Sequence, residues 1–550
     1  MPSFRDRLAG GRIGVLSALA AGATLMAAPV GAASLLDDDG WQISWDNTLK
    51  YSAAFRTKNP SDQVINGPVV NGLTAAQRDD GDRNFRKGPI SNRVDLLSEF
   101  DVNYQKTYGF RASAAAWYDT VYNSATDNNS NGTYNQPGTI SNRDFPSKTR
   151  QLHGRNIELL DAFAYGRSEI ADMPINLRLG RYAQLWGESL YFGNNGIAAG
   201  MAPLDTIKAL SVPGSQVKEL IMPVAQVGGQ LQVTPNVSLA AYYQLEWRRN
   251  RNAGVGSFFS PVDFVDYGGS CLFGMAVPDR TCVGPRQSDR KPKGASGQYG
   301  ASVKYTPDDG DYSVGLYALR FNAKDPVVYT PLTRAFTPEY YLAFPEGIEL
   351  YGASYTTNIG DANVGGEVSF RRNQPLAYDP NVGLVLFPGQ QGDGKDNRWY
   401  PTGDTLHAQF SGLYALPRSD AGLWDGGTVT GELAFNHVVN THNNNSAVSL
   451  LDPAKSRSAA ALQVGVMFDY YQVMPGLDVS VGPNVRFGLF GDSLIDPGMS
   501  RKSGTVSLAA TLTYQTVWKG GLSYTHFVGD LARQPFADRD FIGFNVQRTF

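Results

Sequence analysis

Phe541-Ile-Gly-Phe-Asn-Val-Gln-Arg-Thr-Phe550 ends the chain, and its alternation governs the reading of everything before it. Ile542, Phe544, Val546 and Phe550 fall on one face of an extended strand; Gly543, Asn545, Gln547 and Thr549 fall on the other. Apolar groups at every second position imply one apolar and one polar surrounding. At the other end, Trp41-Gln-Ile-Ser-Trp-Asp-Asn-Thr-Leu-Lys-Tyr-Ser-Ala-Ala-Phe55 repeats the pattern, with Trp41, Ile43, Trp45, Leu49, Tyr51 and Phe55 together. Gln42, Ser44, Asp46, Thr48, Lys50, Ser52 and Arg56 lie opposite. Between 93 and 106, Val94, Leu96, Phe100, Val102 and Tyr104 oppose Asp95, Glu99, Asp101, Asn103 and Gln105. A soluble sandwich also alternates, but its apolar face packs on a second sheet. Here the polar face is charged too consistently from strand to strand for that. One face suits lipid and the other water.

Further strands are expected near 109–122, 157–170, 174–185, 223–234, 236–248, 296–306, 311–321, 347–358 and 361–372. They continue near 403–416, 427–439, 458–472, 477–491, 503–515, 517–528 and 539–550. Short turns at Thr107–Gly109, Thr234–Asn236, Thr306–Gly310, Asn358–Asp361 and Met474–Gly476 use Gly, Pro, Asn and Asp for their backbone geometry. Long polar stretches such as 58–91, 123–156, 249–295 and 373–402 alternate with them. Asn-Asn-Ser-Asn-Gly in 123–156 points to a solvent-exposed loop. Short periplasmic turns and long extracellular loops, joining an even number of strands, are the plan of a transmembrane antiparallel β-barrel. About 18 strands (16–20) are expected. An open edge would leave backbone groups unsatisfied in lipid, so the sheet closes.

The N-terminus agrees. Arg5, Arg7 and Arg12 precede an uncharged Ala- and Leu-rich run from Ile13 to Val30, then Gly31-Ala-Ala33. This predicts a cleaved signal peptide over 1–33, a short periplasmic segment over 34–40 and a barrel over 41–550. Cleavage leaves 45 Lys and Arg against 50 Asp and Glu, a net −5 that gives no sign of nucleic-acid binding. No later stretch has the roughly 18 apolar residues of a spanning helix. A mean hydropathy of −0.28 does not exclude the membrane, because alternating strands conceal their apolar face. Cys271 and Cys282, the only cysteines, lie in a Gly-rich stretch and are expected to form one loop-stapling disulfide in an oxidising compartment.

Asp161-Ala-Phe-Ala-Tyr-Gly166 followed by Leu177-Arg-Leu-Gly-Arg-Tyr-Ala-Gln-Leu-Trp-Gly-Glu188 resembles a strand pair of several porin-like outer-membrane proteins. The run from Trp186-Gly-Glu-Ser-Leu-Tyr-Phe-Gly193 through Lys218-Glu-Leu-Ile-Met-Pro223 is more specific. It resembles a proteobacterial outer-membrane family catalogued as domain of unknown function thirteen hundred and two, across most of the mature chain. The resemblance implies a barrel, no catalytic residues, and an amphiphilic cargo handled with periplasmic lipid-handling proteins and an inner-membrane exporter. The terminal strand ending in Phe550 likewise resembles the signal read by barrel-assembly machinery.

Residues 187–224 form the candidate constriction. Tyr191, Phe192, Met201 and Leu204 are more apolar than an external loop requires, and Lys218 and Glu219 add charge. Folding into the lumen would bury these apolar groups and narrow the pore; packing among external loops is the plain alternative. By strand parity Lys50, Arg56, Asp95, Glu99, Asp101, Arg111, Asp119, Arg178, Glu246, Arg248, Glu367, Arg371, Asp478 and Arg486 point inward, where charge either tunes permeation or pairs across the wall. Arg181 breaks parity with Arg178, so a bulge at Gly180 is expected to turn it inward. Arg248-Arg249-Asn-Arg251 and Arg371-Arg372, at extracellular strand ends, are expected to meet lipopolysaccharide or steer anions. His437 and His442 have no carboxylate at ligand spacing, and no Gly-x-Ser-x-Gly turn appears, so neither a metal, a cofactor nor an enzyme activity is expected. The resulting expectation is a passive outer-membrane channel for a small hydrophobic or amphiphilic compound, gated by the inward segment. A general diffusion porin, or a non-transport barrel acting as adhesin, scaffold or enzyme, are the alternatives.

Overall fold

The computed structural model describes residues 33–130, 140–273, 282–295, 297–333, 337–379, 385–386, 388–442 and 451–550. The expected signal sequence, apart from Ala33, lies outside the described residues. Eighteen antiparallel strands form the wall: β1 Trp41–Arg56, β2 Gly88–Tyr104, β3 Tyr108–Asp119, β4 Arg155–Ile170, β5 Met173–Tyr182 and β6 Val224–Thr234. Next come β7 Val237–Gln244, β8 Gln298–Tyr305, β9 Tyr312–Phe321, β10 Ile348–Ile359, β11 Ala362–Pro375 and β12 Thr402–Leu416. The last are β13 Gly426–His442, β14 Ser458–Met474, β15 Leu477–Phe490, β16 Gly504–Tyr514, β17 Trp518–Val528 and β18 Phe541–Thr549. Each pairs with its sequence neighbours, and β18 returns to β1 with Phe544 opposite Ala53 and Thr549 opposite Thr48. Phe550 completes that seam, its N–H and C=O each bonded to Asn47 at 2.9 and 2.8 Å. No edge is left open, as a lipid surrounding demands.

Connections separate cleanly into two sets, one of two to nine residues and one of 12 to 53. β1 begins and β18 ends on the side of the short turns. The two-residue turn Ala171-Asp172 holds both residues at positive φ, the twist that matches the flanking strands. The outward face is a belt of exposed Trp45, Leu96, Phe110, Leu179, Leu316, Val368, Phe410, Leu433, Leu508 and Phe544. Inward neighbours such as Lys50, Ser52, Glu367, Ser369, Gln409 and Glu432 are buried. Apolar outside and polar inside identify a membrane-spanning barrel of the outer-membrane type. Among the described residues no helix is long and apolar enough to cross a membrane.

Above the wall, the long connections pack into a dense cap. Phe85, Tyr122, Phe145, Phe258 and Phe259 form one apolar cluster with Phe527 and Phe541. Beside it Asp82 pairs with Arg56 at 2.8 Å and with Arg539 at 2.6 Å, all buried. Cys271 and Cys282 are disulfide-bonded in a small hairpin of this cap.

Residues Ala33–Asp38 form an additional strand paired back on Trp41–Trp45 below the end of β18. Two expectations change. Register through Gly180 is continuous on both sides, so there is no bulge. Gly180 instead takes φ +130°, and Arg181 keeps the ladder parity of Leu177 and Leu179. Asn128, at the start of the Asn-rich stretch, is buried; Asn142 donates to its carbonyl and its Oδ1 accepts the Ser130 N–H.

Candidate functional site

The 183–223 connection meets the cap at Asn250–Arg251 and at Lys324, but most of it leaves the cap. It runs across the barrel interior, touching inward side chains of β1, β2, β3, β11, β12, β13, β15 and β18. Short elements shape it: a 3-10 turn at Ile197–Gly200 and single helical turns at Thr206–Ser211 and Val217–Leu220. Asp205 caps the first helical turn by accepting the Lys208 N–H at 3.0 Å. Its apolar inventory is largely consumed. Phe192, Ile197, Met201, Ile207, Val212 and Met222 are buried, while Leu190, Leu210 and Val217 stay exposed.

Residues 188–197 are held through their backbone. Glu367 accepts the N–H groups of Glu188 and Ile197, each at 2.8 Å. Glu432 accepts those of Leu190 at 3.1 Å, Phe192 at 2.7 Å, and Tyr191. Arg371 donates to the carbonyls of Asn194, Asn195 and Gly196 at 2.8–3.1 Å. His407 and Asn436 both meet Asn195 Oδ1, at 3.0 and 3.3 Å. Phe192 fills a hole formed by Ala434, Ala459, Ala461 and Met499, with the Arg486 guanidinium 4.6 Å from its ring centre. The Tyr191 hydroxyl meets Thr430 at 2.5 Å.

Residues 205–219 are held through side-chain charge. Glu219 lies between Lys50 at 3.3 Å and Lys208 at 3.5 Å, all three buried. Lys218 pairs with Glu99 at 2.5 Å, and Glu99 also takes Arg111 at 2.5 Å. Asp205 pairs at 2.8 Å with Arg251, which also pairs with Glu158 of β4. Trp117, inward on β3, has Arg93, Arg251 and Lys208 around its ring at 4.9, 5.8 and 6.0 Å. Pro213 lies against Gly543: a Cβ added there would stand 2.8 Å from its Cγ.

Of the residues expected in the lumen, Lys50, Glu99, Arg111, Glu367, Arg371 and Arg486 meet the segment or its direct partners. Others do different work. Arg56 is fully buried in the cap. Arg178 lies against the Phe163 and Tyr182 rings, both at 5.9 Å. Arg181 and Arg248, unlike these, also meet the segment: both donate to the carbonyl of Pro223 at its end, and both approach Glu246. Asp101 accepts the Tyr165 hydroxyl, Asp95 pairs with Arg93, Asp119 takes Ser91, and Asp478 caps a turn through the Gln472 N–H. Leu204 bridges to Ile221, and the Met201 carbonyl accepts from Gln244.

The arginine clusters are not the free anionic-lipid sites expected of them. Arg249 pairs with Asp266 at 2.7 Å and stacks on Tyr267, Arg251 serves Asp205 and Glu158, and Arg371 turns inward. Arg372 alone of these is largely exposed, 3.6 Å from Glu349.

Glu432 and His407 were legible by parity, since each adjoins an exposed leucine (Leu433 and Leu406), and Asn436 follows Glu432 on the same face, but parity could not say that they grip a loop. Glu158, between the exposed Ile157 and Leu159, and Trp117, beside the exposed Tyr118, carried the same parity signal, whereas Asp205, in a connection, carried none. Among the described residues one group of three ligand-capable side chains occurs, Asp79, Asp80 and Asp263, buried in the cap with ligand atoms within 4.8 Å of one another.

A family model described as protein of unknown function (DUF1302) matches residues 13–550. No curated protein matches the chain. Solved structures with similar folds include Pseudomonas aeruginosa OpdK with vanillate, 10% identical, covering 92% of this chain and 98% of that one at a TM-score of 0.42. A BenF-like porin of Pseudomonas fluorescens Pf-5 is 9% identical over 92% and 98% of the two chains, with a TM-score of 0.40. The DcaP channel of Acinetobacter baumannii is 9% identical over 94% and 99%, with a TM-score of 0.35.

Proposed function

Since the chain belongs to the DUF1302 family of proteins of unknown function, its activity has to be read from its own geometry, and we propose that it is a passive outer-membrane channel for a small hydrophobic or amphiphilic compound, with residues 187–224 controlling permeation. One observation carries the reading: wall carboxylates and cations that would otherwise line an open water path are bonded to that segment instead, from β1 round to β15. A barrel of this strand number leaves a lumen wide enough for water unless something fills it. The exposed Leu190, Leu210 and Val217 give the remaining passage an apolar lining in places. Export through a signal peptide over 1–33, and assembly through the Phe550 strand by barrel-assembly machinery, belong to the same reading. So do contact with outer-membrane lipid and lipopolysaccharide and hand-over to periplasmic lipid-handling proteins and an inner-membrane exporter.

Replacing residues 190–220 by a short Gly-Ser linker tests it. The variant should still assemble, judged by heat-modifiable migration, and its single-channel conductance in planar bilayers should rise several-fold. An assembled variant with the parent's conductance would put the segment outside the conducting path. A parent with large open conductance would favour a general diffusion porin, and one with none a non-transport barrel.

A further inference from the structure

Next to the crossing segment is a cavity that the anchoring network does not explain. It has a volume of about 430 Å³ and lies between residues 185–204, the end of β9, the end of β11 and the connections beyond them. That is in the size range of small-molecule sites. Most of its lining is apolar, including Leu185, Leu204, Phe321, Val327, Ile348 and Leu376.

Two buried cations line the same space, Lys324 and Arg371. The Lys324 ammonium donates to the Ala199 carbonyl at 3.1 Å and stands 5.2 Å from the Phe321 ring centre. Arg371 spends its terminal nitrogens on segment carbonyls, and its buried Nε–H has no partner among the described residues. No carboxylate stands at ion-pair distance from either cation among the described residues. Two carboxylates, Asp325 and Asp496, line the same cavity, and they and Glu367 spend hydrogen bonds on neighbouring amides. Asp325 accepts from the Asn250 and Asn252 amides, each at 2.9 Å. Glu367 caps Glu188 and Ile197, and Asp496 caps Gly498. Lys455 adds a third cation to the lining.

A buried cation with no carboxylate in direct contact is unfavourable. Lys324, Arg371 and Lys455 against Asp325 and Asp496 leave the lining one cation in excess, and a cavity with an apolar body and one excess cation is complementary to a molecule with an apolar body and one anionic head. We propose that this cavity binds a monoanionic amphiphile, an apolar-bodied carboxylate, whose head lies between Lys324 and Arg371. The proposal rests on the channel reading only for its meaning as a station on the permeation path; the binding site itself does not depend on it. The electrostatics agree: burial first, with the Arg371 field adding and Asp325 opposing, brings Lys324 down to about 8. Binding should therefore weaken as pH rises through that region and the ammonium is lost.

Calorimetric titration of the folded, full-length mature protein in detergent tests this, with octanoate against the uncharged octanol. A hydrogen bond to a charged group converts to about tenfold or more in affinity, so octanoate should bind at least that much more tightly. Lys324→Met should abolish the preference while leaving octanol binding as it was, and Lys324→Arg should retain it. Heat-modifiable migration establishes that each variant is folded. Equal binding of octanoate and octanol to the parent overturns the proposal, as does a folded Lys324→Met protein that keeps the preference. If Lys324→Met fails to fold, the Lys324→Arg protein and the pH series decide: loss of octanoate binding in the arginine variant, or an affinity flat from pH 7 to 9.5, overturns it. Octanoate binding without any conductance change on removing residues 190–220 would sink the channel reading and leave the site standing; the reverse outcome would do the opposite.

Discussion

Residues 188–197 and residues 205–219 cross one lumen but are held by different chemistry. The first stretch offers backbone N–H and C=O groups to Glu367, Glu432 and Arg371, whose side chains are buried in the wall. The second is held by charge: Lys218 and Glu219 pair with Glu99 and Lys50 of the wall, Lys208 pairs with Glu219 within the stretch, and Asp205 pairs with Arg251 of the connection after β7. The first stretch, which also seats Tyr191, Phe192 and Asn195 against the wall, depends heavily on the wall. The second depends on both partners of each ion pair. The contrast suggests a fixed root on the β11–β13 side and a releasable arm on the β1–β4 side, and each variant below presses on one of them.

Glu432→Ala should have the largest effect. It leaves the N–H groups of Leu190, Tyr191 and Phe192 without their acceptor. A buried donor left unmade costs about 1–3 kcal/mol, so the root should detach, raising conductance and lowering the temperature at which the folded form converts on gels. Unchanged conductance would erase the distinction between root and arm.

Glu219→Gln comes next. It strands Lys50 and Lys208, both buried, at a cost of roughly 3 kcal/mol. The arm should open while the root stays seated, so conductance should flicker between two levels rather than rise steadily. A steady rise equal to that of Glu432→Ala would show that the two stretches move as one.

A control lies outside both. His153 is buried in the cap, stacked on Tyr122, with its Nε2 accepting the Gly254 N–H at 3.1 Å. Burial, helped by Arg93, pushes it down to about 3. The unfolded chain takes up a proton near pH 6.5 that the folded cap refuses, so its contribution is lost as pH falls from about 6.5 towards 3. The slope is about 1.4 kcal/mol per pH unit. Melting between pH 7 and 4 should show that slope, and His153→Gln should flatten it; an equal slope in the variant would assign the acid sensitivity elsewhere.

Lys218→Ala should matter least. Its pair with Glu99 is half-exposed, and Glu99 keeps Arg111. Such pairs contribute about 1 kcal/mol or less and fade with salt. Conductance should shift slightly at low ionic strength and match the parent at high ionic strength. A persistent difference would make Lys218 part of the permeation path rather than of the anchor.

The wall was legible because its information is local. Alternation in Trp41–Arg56 or Phe541–Thr549 depends only on neighbours two residues apart, and a turn such as Met474-Pro-Gly476 advertises itself. All eighteen strands, the alternation of short and long connections, and the inward set containing Lys50, Glu99, Glu367 and Arg371 follow from that period. The same rule failed where the backbone departs from it. Gly180 marked no bulge, because a positive φ at glycine absorbed the irregularity without shifting the register. Periodicity also could not place the long connections, because a connection has no period. Leu190 and Glu432 meet across 242 residues, and nothing in either stretch names the other. The sequence by itself determined a closed barrel with an apolar exterior, a charged interior and an unusually apolar connection. Only the tertiary structure decided that this connection spans the lumen, that wall carboxylates hold its backbone, and that Lys324 and Arg371 share a cavity, because each follows from which distant surfaces closure of the cylinder brings face to face.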